Sequence, residues 1–320
     1  MAAIADIEIR YPASHVTVEG LHATAGLDVD EIHEIVHCDA FPALGEGESS
    51  WRLAWDAARA MLQRTPGAVS SVRQVIFAGS GEWDLPFWSP AARVAQALGI
   101  HDAHCFEVTN FCNAGTTALR VASDALAHGE PGGYALVLIA DRLSRMVDRS
   151  DPASKALFNF GDAAAAVLLA RDGGVLPVLH TAMRTDPSWS DYYYGERRDS
   201  EVVIRRGPHR KGLAQAYVEN FTTLVGRSLA ALGRTTGDIS YFLVNQGDRE
   251  MHTRLLRTLG IPESRSVLNY HRLGHMGGAD TFIALRDLVD ERRLRPGDLI
   301  LLATSAMGFT WGVTSLEYRP

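Results

Sequence analysis

The sequence predicts an α/β fold built from two related halves, and three observations predict it. Short runs rich in Val, Ile and Leu alternate with longer stretches in which apolar residues recur every three or four positions. The same order of parts occurs twice, with the break near Asp172–Gly174. At 320 residues the chain also exceeds the roughly 100–200 residues of a usual single core, so two packed halves are expected, residues 1–173 and 174–320.

In chain order, Ser49–Arg64 reads as an amphipathic helix, Val75–Ala78 as a buried strand and Pro90–Leu98 as the next helix. A strand-like FEVT leads to Cys112, and the helix Thr116–His128 runs into HGEPGGYALVLIAD, whose Tyr134–Ala140 is a second buried strand. GDAAAAVLLA supplies the strand Ala164–Ala170. The second half repeats the pattern. Leu213–Leu232 is a helix, Tyr241–Val244 a strand before NQGD, and Glu250–Leu259 a helix. The helix Asp280–Arg293 after His275 ends in RLRPGDLILLATS, which contains the strand Leu299–Ala303, and a last strand runs through WGVTSLEY. If the halves share a fold, the helix starts near Cys112 and His275 are equivalent and pseudo-symmetry brings both to one cleft. The alternative is a loose self-match of the kind any α/β chain offers.

Composition narrows the function. The residues are 46% apolar and 22% charged, as in ordinary globular proteins, and the net charge of −7 provides no basic field for nucleic acid. The start, MAAIADIEIRYPAS, has neither the basic opening nor the apolar run of a signal or anchor, and no segment reaches the roughly 18 apolar residues of a membrane span. Three widely spaced cysteines without a CxxC pair argue against a disulfide framework or a metal site, so no metal and a reducing cytoplasm are expected.

The chemistry-bearing residues lie at element ends. Cys112 in TNFCNAGTTALRVA opens a helix, where unpaired amides favour a nucleophilic thiolate; the alternative is an inert buried thiol. His275 in LGHMGGADTF opens another helix, whose terminus is expected to lower its pKa and keep a neutral general base; the alternative is a structural histidine. Asn245 ends its strand, either as a donor to an oxyanion or as a turn residue. The sharp turn Ser305–Gly308 follows a buried strand, so the backbone amides of Cys112, Met307 and Gly308 are the expected oxyanion hole. Asp248, Arg249 and Asp280 are candidates for substrate contact, and Asp248 or Asp280 for orienting the imidazole.

Taken in order, FEVTNFCNAGTTALRVASDAL, NFGDAAAAVLLA, NYHRLGHMGGAD and MGFTWG resemble the ketoacyl-acyl-carrier-protein synthase III branch of the thiolase superfamily over nearly the whole chain. The resemblance implies a five-layered αβαβα thiolase fold from two pseudo-symmetric halves, usually a homodimer. It also implies a cysteine that takes an acyl group from coenzyme A or from the phosphopantetheine arm of an acyl carrier protein, with no permanently bound cofactor. Two departures stand out. Asn245-Gln246-Gly247-Asp248 replaces the family's H-Q-A-N, and His275 replaces its second-half asparagine, so histidine and asparagine are exchanged around Cys112. The N-terminal T-x-x-G-I-x-x-R element that helps hold coenzyme A is missing, and Met307 is expected to narrow the pocket.

These departures lead to an acyltransferase that moves the acyl group to a hydroxyl or amine acceptor without forming a carbon–carbon bond, in the manner of secondary-metabolic members of the family. The alternatives are decarboxylating Claisen condensation and an inactive partner subunit. Three further segments have open roles: RRGPHRK, Arg205–Lys211, as a carrier-protein contact or a solvated loop; DPSWSDYYYGE, Asp186–Glu196, as a pocket flap or a dimer contact; and Glu82–Pro86 near an interface.

Overall fold

The computed structural model describes residues 1–129, 132–199 and 201–320; Glu130 and Pro131 of the HGEPGG segment and Ser200 lie outside them. The strands are β1 Ala3–Arg10, β2 His15–Thr17, β3 Ala40–Pro42, β4 Val72–Gly79, β5 His104–Thr109, β6 Tyr134–Ala140 and β7 Ala164–Ala170. They continue with β8 Leu176–Thr185, β9 Tyr193–Arg198, β10 Glu201–Arg206, β11 Ile239–Val244, β12 Leu299–Ala306 and β13 Thr310–Glu317. The helices are α1 Val18–Ala25, α2 Val29–Val36, α3 Ser50–Gln63, the single turn α4 Ala68–Ser71 and α5 Pro90–Leu98. The remaining helices are α6 Ala114–His128, α7 Leu213–Leu232, α8 Arg249–Leu259 and α9 Asp280–Asp290.

Pairing runs β11-β12-β13-β8-β1-β7-β6-β4-β5. The sequence-first half contributes β5-β4-β6-β7-β1 and the second half β11-β12-β13-β8, so each half ends its run of strands with its own first strand at the seam. There β1 and β8 share only the pairs Ala3↔Pro177 and Ile4↔Leu176. Helices α3 and α5 cover the outer face of one half, and α7 and α8 cover the other. Between the two sheets lie α6, against β4, β6 and β13, and α9, against β1, β11 and β12. This is the five-layered thiolase arrangement.

Layer position explains the residue choice. Strand β7, AAAVLLA, is buried along its whole length because both faces are covered, which is why it reads as an unbroken apolar run. In the middle layer the first six residues of α9 are all buried, whereas the outer α7 keeps a polar face. Strands β1 and β8 go beyond the expected set. Only part of each is buried, and the alternating charges of β1 are held by Arg64, whose guanidinium donates to Asp6 Oδ2 at 2.9 Å and Glu8 Oε2 at 2.5 Å. The Glu82–Pro86 turn is tied to α3 through one residue: the Asp84 carboxylate accepts from Ser50 N at 3.1 Å and Trp51 N at 2.9 Å, capping the helix.

A second tie joins the halves near their middle. His275 N donates to Asn159 O at 2.7 Å and Gly161 N donates to His275 O at 3.0 Å, forming a parallel bridge between Phe160 and His275. Gly274 is required beside it, since a Cβ there would overlap the Asn159 carbonyl. Gly274→Ala is therefore expected to cost about 1–3 kcal/mol through overpacking, read as a lower urea midpoint; an unchanged midpoint would show that the bridge yields without cost.

On α8, His252 is fully buried. Ser266 Oγ donates to Phe242 O at 2.6 Å, so it accepts from His252 Nε2 at 2.9 Å, and His252 Nδ1 faces the Tyr270 hydroxyl at 3.3 Å. Burial lowers the His252 pKa from 6.5 to about 4. Between those values the unfolded chain binds the proton and the folded chain does not, so this stability is full above pH 6.5 and is lost as pH falls toward 4. Between pH 7.5 and 5 the protein should lose about 2 kcal/mol more than His252→Gln, measured by urea unfolding; equal losses would contradict the assignment.

Candidate active site

Strand β5 ends at Thr109, and the chain turns sharply through the short 3₁₀ turn Phe111–Asn113 into α6. Phe111 carries the turn with a φ of 48°, a left-handed conformation that costs a non-glycine residue roughly 1–2 kcal/mol. The result is that Cys112 sits below the start of a fifteen-residue helix with its side chain buried. Asn113 anchors the turn from the other side: its Nδ2 donates to Thr310 Oγ1 at 3.2 Å and its Oδ1 accepts from Thr304. Thr304 and Thr310 belong to β12 and β13, so the Cys112 turn is pinned to the opposite half.

The second helix start, at α9, delivers His275 to the same point. Its Nε2 lies 3.2 Å from Cys112 Sγ across 163 residues of sequence. Its Nδ1 lies 2.6 Å from Asp280 Oδ2, and that carboxylate also accepts from Gln246 N at 2.6 Å and Met276 N at 2.8 Å. An ionised carboxylate only accepts, so Nδ1 carries a proton toward Asp280 and Nε2 faces the thiol. The Phe160 ring meets the imidazole edge at 5.0 Å and limits its rotation. Cys112, His275 and Asp280 are 6%, 3% and 3% exposed, so this charge chain works with little screening.

The electrostatics reverse one expectation. Burial favours the neutral ring, but the Cys112 sulfur and the Asp280 carboxylate outweigh it and hold the His275 pKa well above the ordinary histidine range. The helix terminus does not lower it, because two anionic groups at hydrogen-bonding distance exceed the partial charges of the amides. Such a base stands where it can accept the thiol proton across the 3.2 Å contact.

The other candidates fall in different places. Asp280 stands behind the imidazole instead of facing the cavity, so its expected substrate contact is replaced by a positioning one. Asn245 lines the cavity, yet its carboxamide is clamped to the end of β12: Oδ1 accepts from Ser305 N at 3.0 Å and Nδ2 donates to Ser305 O at 3.3 Å. One amide proton is left for the cavity, so of the two readings, oxyanion donor or turn residue, the side chain is partly committed to the turn. Asp248 caps α8 by accepting from Met251 N at 2.9 Å, and its side chain borders the cavity mouth. Arg249 is exposed on the first turn of α8, outside the cavity wall, because the helix turns it outward; the structure does not bring it to the thiol. Met307 lines the cavity with Cys112, and Gly308 carries the β12–β13 turn with a φ of 88°.

The cavity above the thiol measures about 380 Å³ and is walled mainly by apolar residues, among them Leu157, Phe160, Leu213, Phe221, Met251 and Phe309. Tyr193 of the Asp186–Glu196 segment forms part of this wall. Tyr193 stacks on Phe309 at 6.1 Å, and Trp189 and Tyr192 are buried beneath. Two residues of the RRGPHRK run are spent on structure: Arg205 pairs with Glu196, Asp148 and Asp151, and Arg210 lies over Trp189 while bonding Asp191. Sequence reasoning missed Asn113 and Tyr217, and it read Ser305 only as the start of the oxyanion turn and not as the partner of Asn245. The only signal was a polar residue directly after the cysteine for Asn113 and a lone tyrosine on an amphipathic helix for Tyr217.

Comparison with known proteins agrees with this geometry. Residues 106–187 match the family described as 3-oxoacyl-[acyl-carrier-protein (ACP)] synthase III, and residues 229–318 match its C-terminal part. The chain is 31% identical over 276 residues to a beta-ketoacyl-[acyl-carrier-protein] synthase III of Rhizorhabdus wittichii, covering 86% of each. Its fold superimposes on a 3-oxoacyl-[acyl-carrier-protein] synthase III from Aquifex aeolicus with a TM-score of 0.88 at 23% identity, over 99% of this chain and 100% of the other. The acyltransferase ChlB3 superimposes with a TM-score of 0.83 at 22% identity, over 99% and 98%. With the match to both halves of the family model, the extent of the identity and the shared fold, the chain belongs to the 3-oxoacyl-[acyl-carrier-protein] synthase III family, acyltransferases of the thiolase fold.

Proposed function

We propose that the protein carries an acyl group as a thioester on Cys112 and passes it to a hydroxyl or amine acceptor. The observation that carries this reading is the chain Cys112–His275–Asp280, with contacts of 3.2 and 2.6 Å. The Cys112 thiolate attacks the carbonyl carbon of a donor thioester, and the donor carbon–sulfur bond breaks. The departing thiol takes the proton held on His275 Nε2. An acceptor O–H or N–H then gives its proton to the same nitrogen while its heteroatom attacks the acyl-enzyme, and the Cys112 sulfur leaves as thiolate. Asp280 stays ionised and holds the ring. Amides of Cys112, Met307 and Gly308 receive the oxyanion in both steps.

The donor is the phosphopantetheine thioester of an acyl carrier protein or of coenzyme A, whose slender arm suits the apolar cavity; the names of the relatives support the carrier protein. A homodimer fits the exposure of Leu85 and Phe87 beside the Glu82–Pro86 turn, since large apolar side chains gain from being covered. Division into halves 1–173 and 174–320 fits the strand order on either side of the β1–β8 seam. A cytoplasmic setting keeps Cys112 reduced. Among the described residues no helix is long and apolar enough to cross a membrane.

Decarboxylating condensation is the second reading, favoured by the names of the relatives and by the amide proton that Asn245 still offers the cavity. Incubation with acyl thioesters should raise the intact mass by one acyl group in the protein and not in Cys112→Ala. A malonyl thioester should release no carbon dioxide, and formation of a β-ketoacyl product would establish the second reading instead. Absence of any adduct in folded protein would favour an inactive subunit.

Asp280→Asn tests the charge chain. Without the carboxylate the imidazole is less basic, so the thiolate forms only at higher pH, and the pH profile of Cys112 alkylation should move upward. Acylation near neutral pH should slow by about 10²-fold or more. An unmoved profile would show that Asp280 only packs.

A further inference from the structure

We infer that Asn113 is a positioning residue for acyl transfer: its carboxamide fixes the β12–β13 turn, which carries the Met307 and Gly308 amides, against the Cys112 turn. The inference rests on the acyl-enzyme reading above and adds a residue to it. The carboxamide grips both stems of the β12–β13 turn. Asn113 Nδ2 donates to Thr310 Oγ1 at 3.2 Å, at the first residue of β13, and Asn113 Oδ1 accepts from Thr304 Oγ1, three residues before Met307. An amide oxygen only accepts, so the Thr304 proton is committed to it, and Thr116 Oγ1, at 2.9 Å, is the donor to Thr304. Asn113, Thr116, Thr304 and Thr310 are all buried.

The nucleophile turn has ties of its own. Asn113 N donates to Asn110 O at 3.0 Å, Thr117 Oγ1 donates to Asn113 O at 3.0 Å, and Asn110 Nδ2 donates to Thr117 Oγ1 at 2.8 Å. These bonds hold Phe111–Asn113 locally and leave the Asn113 side chain for the opposite half. Gly312, which pairs with Thr304 across β12 and β13, makes room for it: a Cβ there would stand 2.6 Å from Asn113 Oδ1 and 3.0 Å from Thr116 Cγ2. On the other side of the cysteine, Phe111 reaches the β12–β13 turn itself, where a Cβ on Gly308 would meet its Cε2 at 3.6 Å. The residues before and after Cys112 thus both bear on that turn.

Two features separate positioning from packing. Asn245 also grips this turn, at Ser305, but Asn245 and β12 belong to the same half, so that bond does not set the distance of the turn from the thiol. Asn113 and Thr116 belong to the half that carries Cys112. The second feature is chemical. Apolar side chains of the same shape bury at such positions at little cost; a chain of hydrogen bonds adds a fixed separation, because each holds only near 3 Å and within a narrow angle. Oxyanion donors depend on that separation, and misplacement by about 1 Å costs on the order of 10²-fold in rate.

The test sets acylation, which passes through an oxyanion, beside alkylation by iodoacetamide, which does not. Thr304→Val removes the hydroxyl and keeps the side-chain shape, and Asn113→Ala removes the carboxamide. Acylation of Cys112 by acetyl and butanoyl N-acetylcysteamine thioesters, followed by intact mass, should slow about 10–100-fold in both variants. Alkylation of Cys112 in the same variants, followed by peptide mass, should stay within about twofold of the unaltered protein with an unmoved pH profile, since it depends on the thiol and its base alone. Thr304→Ser keeps the hydroxyl and should recover most of the lost acylation. Alkylation that falls in step with acylation would show that the network only holds the thiol, and unchanged acylation in both variants would show that the turn stands without it. Either result overturns the inference and leaves the acyl-enzyme intact. No acylation of the unaltered protein by either thioester would remove the acyl-enzyme reading and this inference with it.

Discussion

The site depends on how closely two helix starts approach in the middle layer. Helices α6 and α9 lie between the sheets and meet at Gly115, where a Cβ would sit 2.9 Å from Ile139 Cδ1 and 3.1 Å from Phe282 Cε2. Without that clearance α9 would be pushed away from the Cys112 turn, and a thiol–imidazole contact of 3.2 Å could not form. The same constraint explains the composition of the layer. Residues such as Ala114, Ala118, Ala122 and Ala284 are fully buried, because a helix covered on both faces by sheets has room only for small side chains where backbones come close. Packing of the scaffold and geometry of the site are therefore one problem, solved by the same residues.

Burying a carboxyl, an imidazole and a thiol together is costly unless their polar atoms are met by partners. Removing charges from water costs several kcal/mol per ion, and mutual attraction offsets this only when the remaining lone pairs are satisfied. Asp280 meets that condition with three hydrogen bonds, two of them from the backbone of the segments it joins, at Gln246 and Met276. It thereby holds the end of β11, the start of α9 and the ring of His275 in one arrangement. The bridge from His275 to Asn159 and Gly161 fixes the same residue through its backbone. The histidine is held at ring and main chain, while Cys112 is held by its strained turn and by Asn113. Neither partner needs to reorganise before chemistry, which is the physical content of a preorganised site.

Asn245 shows how a family position changes its work when its neighbour changes. Here the histidine stands just before α9 with the Asp280 carboxylate behind it. The Asn245 carboxamide shapes the wall, gripping Ser305 and through it the start of the β12–β13 turn. That turn carries Met307 and Gly308 to the cavity, so a residue that reads as catalytic acts first on the backbone beside the thiol.

Much of the fold was legible because buried strands and amphipathic helices leave period and composition in the chain. Tyr134–Ala140 and Ala164–Ala170 coincide with β6 and β7, and Pro90–Leu98 and Leu213–Leu232 with α5 and α7, since burial on both faces or on one stripe dictates residue type. Strands β1 and β8 were not legible. They are partly buried, share only two pairs with each other and are held mainly by pairing with β7 and β13, neighbours that no local pattern names. The site divides in the same way. Cys112 and His275 announce themselves near helix starts among small residues, so the sequence alone named the two side chains that the structure brings to 3.2 Å. Only the tertiary structure decided that Asp280 supplies the third group, that His275 is drawn toward its charged form, and that Asn245 is tied to Ser305. Each of those outcomes depends on distances of about 3 Å that the tertiary fold sets, between neighbours across a turn for His275 and Asp280 and between distant residues for Cys112 with His275 and Asn245 with Ser305, and a sequence pattern carries the periodicity of an element but not such separations.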